Sequence, residues 1–243
     1  MKKVAGMLVG CVLLAAGCVS TNQGTASSGA GGVSAPKLGA VLANKDAASI
    51  PVAAAAGAIT VDGKLTDAAW KNAVAVGDFF LGRTQRPEVD TRVLVTYDKD
   101  NLYVGVVCAE PNTAKLVATS KGPDGEVWND DSVEVYLDPG CQKTREFYGF
   151  MVNSKNVTYD RKRDATWSGE WKSGASVQEG QTWTVETAIP FKTLGVASKP
   201  GLKIGLMVAR TRKAGAAKSQ TFYLVPCNDE AKDTSVYPAF ELK

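Results

Sequence analysis

The chain has 243 residues, of which 28 are basic, 25 acidic and none histidine. So even a charge balance argues against a nucleic-acid partner, whose phosphates call for a basic face. Without histidine, Ser-His-Asp and Cys-His catalysis, histidine-ligated haem and the common zinc sites are excluded.

Residues 1–17 have the layout of an export signal. Lys2 and Lys3 form a basic start, Val4 to Leu14 a short apolar run, and Ala15-Ala16-Gly17 a small-residue junction before Cys18. The apolar run is too short to span a bilayer as a helix. The junction resembles the lipobox of bacterial lipoproteins, with Leu14 one place earlier than the favoured leucine. The resemblance implies cleavage before Cys18 and lipid on that residue; plain secretion with Cys18 a bystander is the alternative. Neither Val19 nor Ser20 is acidic, which points to the outer membrane of the cell envelope rather than the inner. Residues 18–54 form a tether, Ser/Gly/Thr/Ala-rich in its first half and without hydrophobic period there. Removing the two signal lysines leaves 26 basic residues against 25 acidic, so membrane attachment is expected through the lipid and not through charge.

Residues 55–243 suit one domain, and they read as strands and turns. AITVDG (58–63) reads as a short strand. TDAAWKNA (66–73) reads as a short helix or turn with a threonine N-cap. GDFFLG (77–82) reads as an edge strand. TRVLVTYD (91–98) and NLYVGVVCAE (101–110) form a hairpin. The strand at 132–137 follows, then hairpins 145–153/156–162 and 173–179/182–190, and one helical turn at 191–195. Strands at 203–213 and 219–226 and a final short strand, PAFELK, complete the chain. The fold class is all-β: an antiparallel sandwich or jelly roll with one or two short helical turns. Cys108, Cys141 and Cys227 form no CxxC; one disulfide among them is allowed, its pairing unspecified.

The stretch VWNDDSVEVYLD (127–138) carries the most chemistry. Val133, Val135 and Leu137 alternate with Ser132, Glu134, Tyr136 and Asp138, so one face is apolar and the other polar with aromatic character. Trp128 stands at the mouth of the polar face. An exposed indole covers the C–H face of a pyranose while carboxylates accept from its hydroxyls. Read alone, the same stretch also fits a buried tryptophan beside a solvated strand.

The order of the landmarks resolves the choice. ITVDGKLTDAAWKNA (59–73), VLVTYDKDNLYVGVVCAEP (93–111), VWNDDSVEVYLDP (127–139), FMVNS (150–154), GQTWTVETAIPFKTLG (180–195) and IGLMVART (204–211) together resemble the family 9 carbohydrate-binding module, within the DOMON-like β-sandwich group. The resemblance implies a β-sandwich that binds sugars, often appended to polysaccharide-degrading enzymes and often holding structural calcium. It places Trp128 as one wall of a sugar clamp, Glu134 as its carboxylate and Asn153 as an amide on the neighbouring strand. Met151 stands where the family has an arginine, and Ala231 where it has a second tryptophan.

Other residues are weighed on their own. Asn129, Asp130 and Asp131 are candidates to cap a turn, bind sugar hydroxyls or ligate calcium, although no run has the spacing of a dedicated calcium loop. Trp167, in a Gly/Ser loop, is a candidate second stacking wall, while Trp171, Trp70 and Trp183 read as packing. The basic runs 161–164 and 210–213 read as solvated strand faces, or as a patch for acidic glycans if they adjoin. Asp131 and Glu134 are three apart beside a turn, which does not suggest a glycosidase pair, so no enzyme activity is expected. The expected function is non-catalytic glycan binding by an envelope lipoprotein; the alternative is a structural or protein-interaction lipoprotein with a degenerate sugar site.

Overall fold

The computed structural model describes residues 49–227 and 232–243. The readings made for the export signal, for Cys18 and for Ala231 lie outside the described residues. Among the described residues, fourteen strands form two sheets. The first contains β1 (Ile50–Val52), β3 (Phe80–Leu81), β6 (Ser132–Pro139), β7 (Tyr148–Asn153), β8 (Thr158–Lys162), β9 (Ala165–Thr166), β12 (Lys203–Arg212), β13 (Gln220–Tyr223) and β14 (Ala239–Leu242). The second contains β2 (Val74–Val76), β4 (Thr91–Tyr97), β5 (Asn101–Ala109), β10 (Lys172–Gln178) and β11 (Thr182–Pro190), in the order β10-β11-β5-β4-β2. Every ladder between strands is antiparallel except β1 with β14.

The all-β sandwich expected from the sequence is observed, and its helical content is a set of short 3-10 turns. The reason is the alternation. Along β6 the apolar set Val133, Val135 and Leu137 packs with Val104, Val106 and Cys108 of β5 in one apolar core. Trp183, Phe150, Phe222 and Phe240 fill that core and are fully buried, each side chain of this size stabilising the fold by roughly 1.5–3 kcal/mol. The β4–β5 hairpin turns where expected. Asp98 caps it, accepting from the Asp100 and Asn101 N–H groups (2.8 and 2.7 Å) and from the Tyr103 hydroxyl (2.8 Å).

Three expectations differ. Residues 58–63 form no strand, because their N–H groups turn inward to a side chain: Glu186 of β11 accepts from Asp62 (2.8 Å), Gly63 (2.7 Å), Leu65 (2.9 Å) and the Trp70 indole (3.0 Å). The turn Ala68–Asn72 has Asp67 and not Thr66 at its N-cap, and the Asp67 carboxylate binds the Thr60 N–H (2.7 Å) instead of capping. The run 210–213 is not a solvated face. Arg210 and Arg212 are buried, and both pair with the fully buried Glu110, the residue after β5 of the opposite sheet, at 3.3 and 2.6 Å. Arg210 also donates to the Asp90 and Ala109 carbonyls (3.1 and 3.0 Å). Cys108 and Cys141 are free thiols, the first buried in the core; Cys227 is buried as well.

Candidate functional site

The polar face of β6 opens onto a groove of about 480 Å³. Its floor is one row of residues crossing five strands in register: Tyr223 (β13), Ala209 (β12), Glu134 (β6), Met151 (β7) and Tyr159 (β8). Thr211, Tyr136 and Arg161 fill the adjoining rows, and Asp164 and Lys232 stand at the rim. Strand parity puts all the floor residues on the sheet face away from the core.

Trp128 forms one wall. It sits on the 3-10 turn Val127–Asn129, whose Val127 side chain is buried in the core. The indole is 41% exposed and meets the Tyr159 ring edge to face, with centroids 5.0 Å apart. One wall of the groove is thus a supported aromatic surface with a free face. Glu134, 8% exposed, lies on the floor and accepts from the Tyr136 hydroxyl. Burial, and then the Glu134 charge, raise the Tyr136 phenol well above its ordinary pKa, so it stays a hydrogen-bond donor.

The residues around Trp128 that sequence reasoning placed in contact with sugar have another place. Asp131 is fully buried and accepts from the Val117 (2.7 Å), Lys213 (2.8 Å) and Ala214 (3.2 Å) N–H groups. Asp130 takes Thr119 N–H and hydroxyl (2.8 and 2.9 Å), Ser120 N–H (3.2 Å) and the Asn153 amide (2.9 Å). Burial pushes the Asp130 carboxyl up, but these donors outweigh it and hold its pKa below the ordinary value. Asn153 is fully buried; its carbonyl oxygen accepts from Lys155 and Val157 and closes the β7–β8 turn. Asp131 and Asn153 therefore hold the frame on which Trp128 is mounted, and they do not line the groove.

Trp167 lies across the sheet from Met151. Its ring packs against Tyr148 and Phe150, with centroids 5.2 and 6.5 Å apart, and both of these point toward the core by strand parity. Asp160 fixes the loop there, its carbonyl accepting from Trp167 N–H (3.2 Å) and its carboxylate from Gly169 N–H (2.6 Å). Trp167 does not face Trp128 across the groove. Trp70 and Trp183 are packed, as read, and Trp171 is partly buried against Phe150 (5.1 Å). The sequence by itself singles out neither Tyr159 nor Tyr223, and it presents Arg161 and Thr211 only within the basic runs 161–164 and 210–213. The usable signal was parity: Tyr159 and Arg161 alternate along NVTYDRK and share the face of Glu134 once the hairpin is laid beside β6. Among the described residues no group of three or more acidic or cysteine side chains is arranged to hold a metal ion.

A two-sheet sandwich with a shallow groove walled by a half-exposed indole and floored by a carboxylate defines the class: a β-sandwich recognition domain. The family pattern described as "Carbohydrate family 9 binding domain-like" matches residues 61–243, and the chain belongs to that family. Among solved structures, a family 9 carbohydrate binding module from Caldicellulosiruptor kristjanssonii in complex with cellotriose is similar at 17% identity and a TM-score of 0.61, over 80% of this chain and 93% of that one. The same organism's module in complex with glucose is similar at 16% identity and a TM-score of 0.61, over 79% and 95% of the two chains. A comparison with curated proteins found no match.

Proposed function

We propose that the chain is a non-catalytic glycan-binding protein that takes its ligand in the Trp128 groove. The observation that carries this reading is the half-exposed Trp128 indole, braced edge-on by Tyr159 and facing a groove with Glu134 on its floor. Tryptophan is ordinarily well buried; here the turn that carries it is tied down by the hydrogen bonds of three buried residues, Asp130, Asp131 and Asn153, while its own indole stays half exposed. An indole face against sugar C–H groups, with a carboxylate and hydroxyls below, matches a pyranose. Family membership supports the reading, as do similar structures that hold cellotriose and glucose. The absence of catalysis is part of the proposal: Asp131 is engaged with backbone N–H groups away from Glu134, and the other carboxylate of the groove, Asp164, is paired with Arg161 (3.1 Å) and Lys232 (3.4 Å).

The proposal extends to the setting. The basic start, short apolar run and Ala-Ala-Gly-Cys junction support lipidation at Cys18, with the domain held at the bacterial envelope, on the outer membrane by the rule used above. A glycan array probed with the full chain, followed by calorimetric titration, tests the binding. Trp128→Ala is expected to weaken binding about tenfold to a hundredfold, by analogy with stacking of about 1–3 kcal/mol per ring. Unchanged affinity in that variant sinks the assignment of the groove. Mass spectrometry of the mature amino terminus tests the anchor: an unmodified chain that starts anywhere other than Cys18 rules it out.

A further inference from the structure

Arg161 lies on β8, two strands from β6, yet its side chain lines the groove and its stem lies over β7. Gly149 of β7 lies between the two strands and makes this reach feasible. It pairs with Arg161 on one side and Tyr136 on the other. A Cβ at 149 would lie 2.8 Å from Arg161 Cγ, 3.2 Å from its Cδ and 3.2 Å from Tyr136 Cδ1. The missing side chain is therefore a trough, and the arginine stem occupies it.

The guanidinium at the end of that stem is held from the rim. Nε donates to the Arg163 carbonyl, Nη2 donates to Asp164 (3.1 Å), and the Phe147 ring lies 5.7 Å beneath. The side chain is only 12% exposed, so little rotamer freedom is left to lose on binding. A guanidinium carries five N–H donors, and these contacts leave the Nη1 pair unused, at a residue that lines the groove. The charges lining the groove balance, Glu134 and Asp164 against Arg161 and Lys232, which favours an uncharged ligand.

Resting on the glycan-binding reading, we infer that Arg161 and Glu134, which line the groove together with Tyr136, read two hydroxyls of a neutral sugar, one accepting from the guanidinium and the other donating to the carboxylate, and that Gly149 is a specificity-determining position because it seats the arginine. Any side chain at 149 displaces the stem and moves the donor.

The test uses the full chain. Wild type, Arg161→Gln, Arg161→Lys, Gly149→Ala and Trp128→Ala are titrated with each glycan that registers on an array, and with its monodeoxy analogues. Arg161→Gln is expected to weaken binding of the parent glycan about tenfold to a hundredfold, the range for a hydrogen bond from a charged group. Its effect should shrink to about twofold or less toward the one analogue that lacks the contacted hydroxyl. Gly149→Ala should follow Arg161→Gln, and Arg161→Lys should fall between. If Gly149→Ala does not fold, the two Arg161 variants decide on their own. Should Trp128→Ala abolish binding while Arg161→Gln stays within about twofold of wild type, this inference fails and the glycan reading stands. Should Arg161→Gln lose equally toward the parent and every analogue, hydroxyl reading by Arg161 is overturned. If wild type binds no glycan, both fall together.

Discussion

At the scale of single residues, the acids beside Trp128 show how a binding surface is made by groups that need not touch a ligand. Asp131 joins three backbone N–H groups drawn from residues 117, 213 and 214, so it ties the Trp128 turn to the end of β12. Asp131→Ala leaves those donors buried and unmet, at about 1–3 kcal/mol for each group that water cannot reach. The expected outcome is a lower melting temperature together with weaker glycan binding and a more mobile Trp128 fluorescence. Trp128→Ala, by contrast, should weaken binding with little change in melting temperature, since the indole is half exposed. Melts run beside titrations separate the two; equal melting temperatures for Asp131→Ala and wild type would refute the framing role. That Trp128 stands beside the polar face carrying Glu134 was legible in the sequence from strand parity, a local pattern, while the choice between an exposed and a buried indole rested on the family resemblance. The places of Asp131 and Asn153 were not legible, because their partners include backbone atoms and an aspartate that no spacing rule brings together.

At the scale of elements, the segment 58–73 is docked rather than woven. It packs on the outer face of the smaller sheet, where Trp70, Tyr103 and Ala188 form a second apolar cluster with Leu65, Ile59 and Val61. Glu186 supplies its hydrogen-bonding wall, and two glycines allow the approach: a Cβ on Gly63 would lie 2.5 Å from the Ala175 backbone, and one on Gly105 would lie 2.4 Å from Leu65. Replacing Glu186 with Ala strands four donors at once. Hydrogen exchange should then speed at Asp62, Gly63 and Leu65 while the β6–β12 ladder keeps its protection. Uniform loss of protection across both sheets would instead make the segment part of the core. The sequence shows AITVDG as a strand by alternation alone; it cannot show that a glutamate more than a hundred residues later takes the N–H groups that a neighbouring strand would take. Long, strongly alternating pieces such as 91–97, 101–109 and 182–190 are ladders as read, since both faces of their pleat find apolar or small partners. The brief strands β1 and β9 escape a sequence pattern because they are too short to display a period.

At the scale of the whole molecule, the two sheets are joined by an apolar core and, among the described residues, by the ionic cluster of Glu110 with Arg210 and Arg212. Burial pushes the Glu110 carboxyl up, but the Arg212 hydrogen bond, the Asn112 N–H and the two arginine charges outweigh it and hold its pKa below the ordinary value. A depressed carboxylate stabilises the fold above its unfolded pKa and loses that contribution as pH falls through its folded one, so this tie weakens as pH falls below the ordinary carboxylate range. The core between the sheets also holds Cys108, opposite Trp183 and Thr91 in the ladder. Burial pushes its thiol up to about 11, against the nearby Arg210 charge, so at neutral pH it is neither ionised nor reachable. Cys141, in the turn after β6, is part-exposed. The pair makes an internal clock for opening of the sandwich. An alkylating reagent should modify Cys141 promptly and Cys108 only at the rate at which the sheets part, as peptide mass spectrometry over time would record. A bound glycan should slow the Cys108 reaction and leave Cys141 untouched, because a ligand of the folded state alone makes every opening rarer.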